Sequence, residues 1–196
     1  MGQADKIHIA IFASGAGSNA ANLIRYFQGH PTILTSLIVC NKPEAGVLSI
    51  AAENHVATLL IEKERFFRGD AYVPLLQQQH IDFIVLAGFL WKIPLPLIQA
   101  YPNKIVNIHP ALLPKYGGKG MYGVHVHNAI VTNKEKETGI TIHIVDEIYD
   151  NGKVLFQTSC PVAETDTADD IAAHVHALEY AHFPEQVEKW IEEMLR

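Results

Sequence analysis

Short apolar runs alternate along the chain with longer segments in which apolar residues recur at helical spacing. Residues 7–13 (IHIAIFA) are apolar and β-rich and stop at Ser14-Gly15, and from Asn19 to Phe27 the apolar positions return every three to four residues. That pattern predicts strand, tight turn, helix. Similar runs stand at 33–40 (ILTSLIVC), 57–61 (ATLLI), 82–87 (DFIVLA) and 104–108 (KIVNI), separated by segments long enough for helices. Such alternation predicts a parallel sheet covered by right-handed crossovers. Prolines and glycines break the pattern over residues 110–124, and long ordered loops in compact domains tend to be functional. Runs 139–145 (GITIHIV) and 153–160 (KVLFQTSC) lie close enough to pair as an antiparallel hairpin on the sheet edge. Thr167-Ala-Asp-Asp170 fits a capping box opening a terminal helical region, in whose last part Phe183, Val187, Trp190, Ile191, Met194 and Leu195 share one face. The expected fold class is α/β: a single Rossmann-type domain over residues 1–196, with a mainly parallel seven-stranded sheet and helices on both faces.

Composition narrows the function. A chain of 196 residues, 48% of them hydrophobic, is long enough for one buried core and short for two. A formal charge of −6 argues against a surface that neutralises nucleic-acid phosphates. No signal-peptide core or membrane span is visible, so the expected location is cytoplasmic and no membrane partner is expected. Cys40 and Cys160 each end a strand-like run and read as free core thiols, not as a bridge. Eleven histidines raise a metal hypothesis with His125, His127, His143, His174, His176 and His182 as candidates. Their spacing does not support it. Glu179-Tyr-Ala-His182 is one Glu-x-x-His step where di-iron bundles use a pair, and His125-Val-His127 lacks a third ligand and reads as surface histidines. No metal is expected.

Gly15-Ala-Gly17-Ser-Asn-Ala20 lies between a predicted strand and a predicted helix, where backbone N–H groups and the helix dipole hold anions. Ser18 and Asn19 add side-chain donors. The same run satisfies the loosened dinucleotide fingerprint, so a dinucleotide-binding redox or sensor domain is the rival from another class. That rival wants an acidic residue at the end of the second strand, to accept from two ribose hydroxyls. Here the strand ends Cys40-Asn41-Lys42, and a single amide cannot do the same.

Asn107-Ile-His109-Pro falls at the carboxyl end of the fifth strand, where open α/β sheets bind ligands, and alternation puts Asn107 and His109 on one side. Downstream, Asp150-Asn-Gly152 forms a polar turn able to fold back over the same edge. Such a trio suits attack by an external amine on an activated carbonyl. Asn107 and protonated His109 would stabilise the oxyanion, while Asp150 orients His109, favours its charged form and assists proton relay. Spacing alone fits equally well two turn caps and a buried polar histidine.

The runs ASGAGSN at 13–19, LAGF at 86–89, NIHPALLPKY at 107–116 and DNG at 150–152, within a span of about residues 7–187, resemble in order the markers of the glycinamide ribonucleotide formyltransferase family of purine biosynthesis. The resemblance implies a formyltransferase-like fold and two small-molecule substrates, with the formyl group of 10-formyltetrahydrofolate passing to the amine of glycinamide ribonucleotide. It implies catalytic roles for Asn107, His109 and Asp150. It places the ribonucleotide on Gly15, Gly17, Ser18, Asn19, Ala20, Ala21, His176 and Glu179. The folate falls to Leu90, Trp91, Lys92, Ile93, Asn107 and the segment Asp146, Glu147, Ile148, Tyr149, Asp150. The chain departs from the family pattern at Leu90-Trp91-Lys92, where Met-Arg is common, and at His176, where glutamine is usual. Its loop 117–123 (GGKGMYG) looks longer than usual, with glycines suited to lid hinges. An arginine of the family corresponds to Arg65 or Arg68. Nearby alternatives share the chemistry. A formyltetrahydrofolate deformylase replaces the amine by water and carries an extra N-terminal domain, and a methionyl-tRNA formyltransferase needs a basic face and a C-terminal RNA-binding domain. A homodimer is left open.

Overall fold

The apolar runs become strands close to where their pattern places them. The computed structural model describes residues 6–69 and 71–196. Its elements are β1 (Ile7–Ala13), α1 (Ser18–Phe27), β2 (Ile33–Cys40), α2 (Gly46–Glu53), β3 (Ala57–Leu60), α3 (Lys63–Arg68), α4 (Val73–Gln78), β4 (Phe83–Leu86), α5 (Leu95–Ala100), β5 (Ile105–His109), α6 (Val124–Thr132), β6 (Glu137–Ile144), β7 (Val154–Pro161) and α7 (Ala168–Met194). The strand order of the seven-stranded, mostly parallel sheet is β3-β2-β1-β4-β5-β6-β7. The chain groups into two compact units, one ending at Ile105 and the other beginning at Val106.

In the first unit β1 pairs in parallel with β2 and β4, and β2 with β3. Ile9, Ile11, Ile38, Ile84 and Val85 are fully buried. Strands covered on both faces have no solvent side to mark with polar residues, which is why FIVL of β4 is apolar throughout. The ends of β1 and β4 are fastened through Ser14. Its N–H donates to the Gly88 carbonyl (3.1 Å) and its hydroxyl accepts from the Leu90 N–H (2.9 Å), fixing where the segment 88–93 leaves the sheet.

In the second unit β6 runs antiparallel to both β5 and β7. After Glu137 every residue of β6 is buried, whereas β7 alternates between exposed and half-buried positions, as an edge strand does. Helix α7 covers this hairpin, beginning at a capping box in which Thr167 Oγ1 accepts from the Asp170 N–H and the Asp170 carboxylate accepts from the Thr167 N–H.

The structure corrects three readings. The apolar stripe expected to reach Leu195 ends at Ile191, and Met194 and Leu195 are 41% and 59% exposed because the stripe outruns the surface it covers. Helix α6 occupies residues that carried no helical reading, since two histidines and an asparagine blur its apolar face. Both cysteines are free, but Cys160 is only half-buried, so only Cys40 is a core thiol.

Removing the Phe183 ring, which is fully buried, is expected to cost about 3–5 kcal/mol in denaturant unfolding. Leu195→Ala should change stability by no more than about 0.5 kcal/mol.

Candidate active site

The turn after β1 is shaped by glycine for two different reasons. Gly17 has φ 85°, the left-handed region, and a Cβ there would stand 2.7 Å from Val47 Cβ, so neither the backbone nor the packing admits a side chain. Gly15 has nothing within 4 Å of its Cβ position; its carbonyl accepts from the Val47 N–H, and that side of the turn stays open. No side chain caps α1 and no acidic residue lies in its first turn. The N-terminal turn of α1, which begins at Ser18, therefore suits an anion. Asn41, following β2, remains without a carboxylate's two acceptors, as the sequence indicated.

Also in the first unit, the segment after β4 turns at Gly88 (φ 74°). Phe89 meets Phe12 edge-on at 5.3 Å, and the Trp91 ring lies 5.7 and 5.6 Å from Phe66 and Phe67. Leu90 is 38% exposed, while Ile93, expected at the same surface, is a core residue at 4%. Of the two candidate arginines, Arg65 places its guanidinium over the Tyr72 ring at 5.4 Å.

The trio lies in the second unit. On β5, Asn107 and His109 share a face, and the β6 residues directly opposite are His143 and Thr141. Thr141 fastens the loop that follows His109: its hydroxyl donates to the Ala111 carbonyl (2.7 Å) and accepts from the Leu113 N–H (3.0 Å). The loop continues through a cis Leu113–Pro114 bond to Tyr116, at φ 57°. The Tyr116 hydroxyl donates to Glu135 and accepts from Asn133, both at 2.9 Å, and its carbonyl accepts from His109 Nε2 at 2.7 Å. A carbonyl only accepts, so the His109 proton sits on Nε2 and Nδ1 faces Asp150 Oδ2 at 3.6 Å.

Asp150 arrives from the turn after β6 with φ 52°, and its Oδ2 accepts from the Gly118 N–H at 2.8 Å. Its Oδ1 lies 3.6 Å from His143 Nε2. Asp146 and Glu147, the other carboxylates nearby in sequence, have different surroundings. Asp146 accepts from the Ile148 N–H and the Asn151 amide and so shapes the turn, and Glu147 is exposed. Gly152 is required because a Cβ would overlap the Ile144 carbonyl oxygen. Ile148 and Tyr149 project their apolar surface, 63% and 39% exposed.

His143 is the residue that sequence reading missed. It carried only a metal-candidate reading, yet it is buried and accepts from Asn107 Nδ2 at 3.1 Å. A histidine inside a β-branched strand run was its signal, but its position opposite Asn107 depends on strand register. The surface reading of His125 and His127 holds for His125 alone, since His127 is buried on the inner side of α6. His176 and Glu179, one turn apart on α7, pair with each other at 3.3 Å. Among the described residues no cluster of three or more His, Cys, Asp and Glu side chains is placed to hold a metal.

Burial pushes the His109 pKa below the ordinary 6.5, and the Asp150 charge and Tyr116 carbonyl raise it by less. The expected direction of the Asp150 effect is right, but desolvation outweighs it, so the resting imidazole is neutral at neutral pH. For Asp150 burial raises the pKa, but the neighbouring His143 and His109 rings, charged when protonated, and the Gly118 N–H outweigh it and hold the carboxyl below its usual range. A carboxylate thus faces an unprotonated Nδ1, a place prepared for one incoming proton. The His109 titration followed by NMR should have its midpoint below 6.5, and Asp150→Asn, which removes a raising contribution, should lower it further. A midpoint raised by that substitution would reverse the assignment.

The formyl transferase family model matches residues 7–187. The chain is 37% identical to a chloroplastic phosphoribosylglycinamide formyltransferase of Arabidopsis thaliana over 96% of its own length and 66% of the relative's. It therefore spans just under two thirds of that plant protein. It is 32% identical to the phosphoribosylglycinamide formyltransferase of Bacillus subtilis over 92% of each chain. The crystal structure of phosphoribosylglycinamide formyltransferase from Bacillus halodurans superposes with a TM-score of 0.84 at 32% identity, covering 93% of this chain and 94% of that one. The order of motifs, the sheet and these likenesses agree, and the chain belongs to the formyl transferase family.

Proposed function

We propose that the protein transfers the formyl group of 10-formyltetrahydrofolate to the amine of glycinamide ribonucleotide, with residues 1–196 acting as one formyltransferase domain. The observation that carries this reading is the unprotonated His109 Nδ1 held opposite the Asp150 carboxylate, on the same strand face as Asn107. The substrate amine attacks the formyl carbon. Asn107 Nδ2 has a second N–H beyond the one given to His143, and it stabilises the oxygen that becomes negative. His109 Nδ1 takes up the proton lost by the attacking nitrogen, and Asp150 stabilises the imidazolium so formed. The same proton is returned to N10 as its bond to the formyl carbon breaks, leaving tetrahydrofolate and the formylated amine. No enzyme nucleophile is needed.

Gly15 and Gly17–Ala20 take the ribonucleotide phosphate through backbone N–H groups, while the Ala21 N–H is bonded to the Gly17 carbonyl and Ala21 can only adjoin the phosphate. His176 and Glu179 serve its amine and ribose side. In the first unit Leu90 and Trp91 offer apolar surface for the donor's pterin, with Lys92 beside them; in the second unit Ile148 and Tyr149 offer apolar surface for the donor, with Asp146 and Glu147 beside them. Among the described residues no helix is long and apolar enough to cross a membrane, and a cytoplasmic location fits this reading.

Tetrahydrofolate release, read by absorbance, should require both 10-formyltetrahydrofolate and glycinamide ribonucleotide. Release without the ribonucleotide would identify a hydrolase, and no release with both present would remove the transferase reading. Gly15→Val, where the fold has room, should raise KM for the ribonucleotide about tenfold or more, the worth of one charge-assisted hydrogen bond. Its Tm and KM for the folate should stay as in the wild type, and an equal rise in both KM values would detach the loop from the phosphate. Asp150→Asn should lower kcat by about 10²–10⁴-fold, the usual cost of losing acid–base assistance.

A further inference from the structure

We propose that His143 is a positioning residue whose tautomer sets which end of the Asn107 amide meets the reacting formyl group. The inference rests on the transfer reading above. The Ile144 carbonyl lies 2.9 Å from His143 Nδ1, and because it can only accept, Nδ1 carries the ring proton. The neutral ring then offers at Nε2 a lone pair and nothing else. A lone pair takes an N–H and not an oxygen, so the amide of Asn107 must turn Nδ2 towards His143, as it does at 3.1 Å. Asn107 Oδ1 is thereby turned away from the ring, and the second hydrogen of Nδ2 is left for the substrate.

An amide without this acceptor has two orientations of nearly equal shape, one presenting N–H and the other oxygen. An amide oxygen facing a developing oxyanion would repel it, so the wrong orientation does more than omit a donor. His143 is suited to enforce the choice. It is buried, stands directly across the strand pair from Asn107, and its backbone neighbour supplies the carbonyl that fixes its own proton. Gly152 of the Asp-Asn-Gly turn leaves that carbonyl room, since any Cβ there would overlap it. The turn that delivers Asp150 therefore also protects the bond that sets the tautomer. Asp150 Oδ1, 3.6 Å from Nε2, is a competitor, and it would claim Nε2 only if that nitrogen were protonated.

Two measurements test this, and one is independent of turnover. In uniformly ¹⁵N-labelled protein at neutral pH, His143 should show protonated Nδ1 and unprotonated Nε2, the opposite of His109. A protonated Nε2 on His143 overturns the proposal even if the protein proves to be no formyltransferase, whereas the expected tautomer with no transfer activity would count against the reaction and not against the positioning. His143→Leu keeps the bulk and removes the acceptor. It should lower kcat by about 10²-fold, as loss of an oxyanion donor does, with KM for both substrates within about twofold. His143→Gln can restore an acceptor oxygen near Nε2 and should recover at least about tenfold of that loss. Wild-type turnover in the leucine variant, or a well-folded glutamine variant no better than leucine, would overturn the role.

Discussion

The hydrogen bond from His109 Nε2 to the Tyr116 carbonyl is the constraint on which the rest of the site depends. By committing the only proton of a neutral imidazole to a backbone oxygen, it leaves the lone pair on Nδ1, where Asp150 waits at 3.6 Å. Burial keeps the resting ring neutral and the carboxylate keeps it willing to become charged. In the proposed transfer, proton uptake and proton return then need no rearrangement of the ring. The Tyr116 carbonyl is aimed by remote contacts: the phenol is anchored by Glu135 and Asn133, and the chain before it by Thr141.

Around the single carboxylate the two histidines take opposite tautomers, each dictated by a backbone carbonyl. A polar group buried this deeply must find its partner, and a backbone carbonyl, which cannot exchange donor for acceptor, is the least ambiguous partner available. The Asp-Asn-Gly turn supports both halves of the arrangement. Its aspartate adopts a left-handed φ and holds Gly118, and its glycine makes way for the Ile144 carbonyl. Sites of this kind concentrate backbone strain in the segments that position the reacting groups.

The glycine turn after β1 holds two glycines of different kinds. Gly17 is demanded by its own φ and by Val47, while nothing in the fold demands Gly15. The second kind leaves the backbone open to close approach, which is the property the proposed phosphate role uses.

Much of this was legible in the chain because it is written locally. Strands and helices follow from short apolar runs and 3.6-residue periods that each segment carries by itself, and the side-by-side placement of Asn107 and His109 follows from alternation along one strand. The Asp150 carboxylate faces His109, whereas that of Asp146 is occupied by its own turn. What escaped was non-local. His143 meets Asn107 through an antiparallel register between strands that lie far apart in sequence, and no period within either strand encodes it. The burial of His127 and the exposure of Leu195 depend on which surfaces neighbouring elements happen to cover. The sign of the His109 shift was likewise undecidable from sequence, since a neighbouring carboxylate and desolvation act oppositely and only the packed structure says which is larger. The chain by itself determined the sheet, the loops and the residue types of the chemistry, because those are properties of neighbours along the backbone. Tertiary structure alone decided which nitrogen carries each proton, because that depends on carbonyls and contacts brought together by folding.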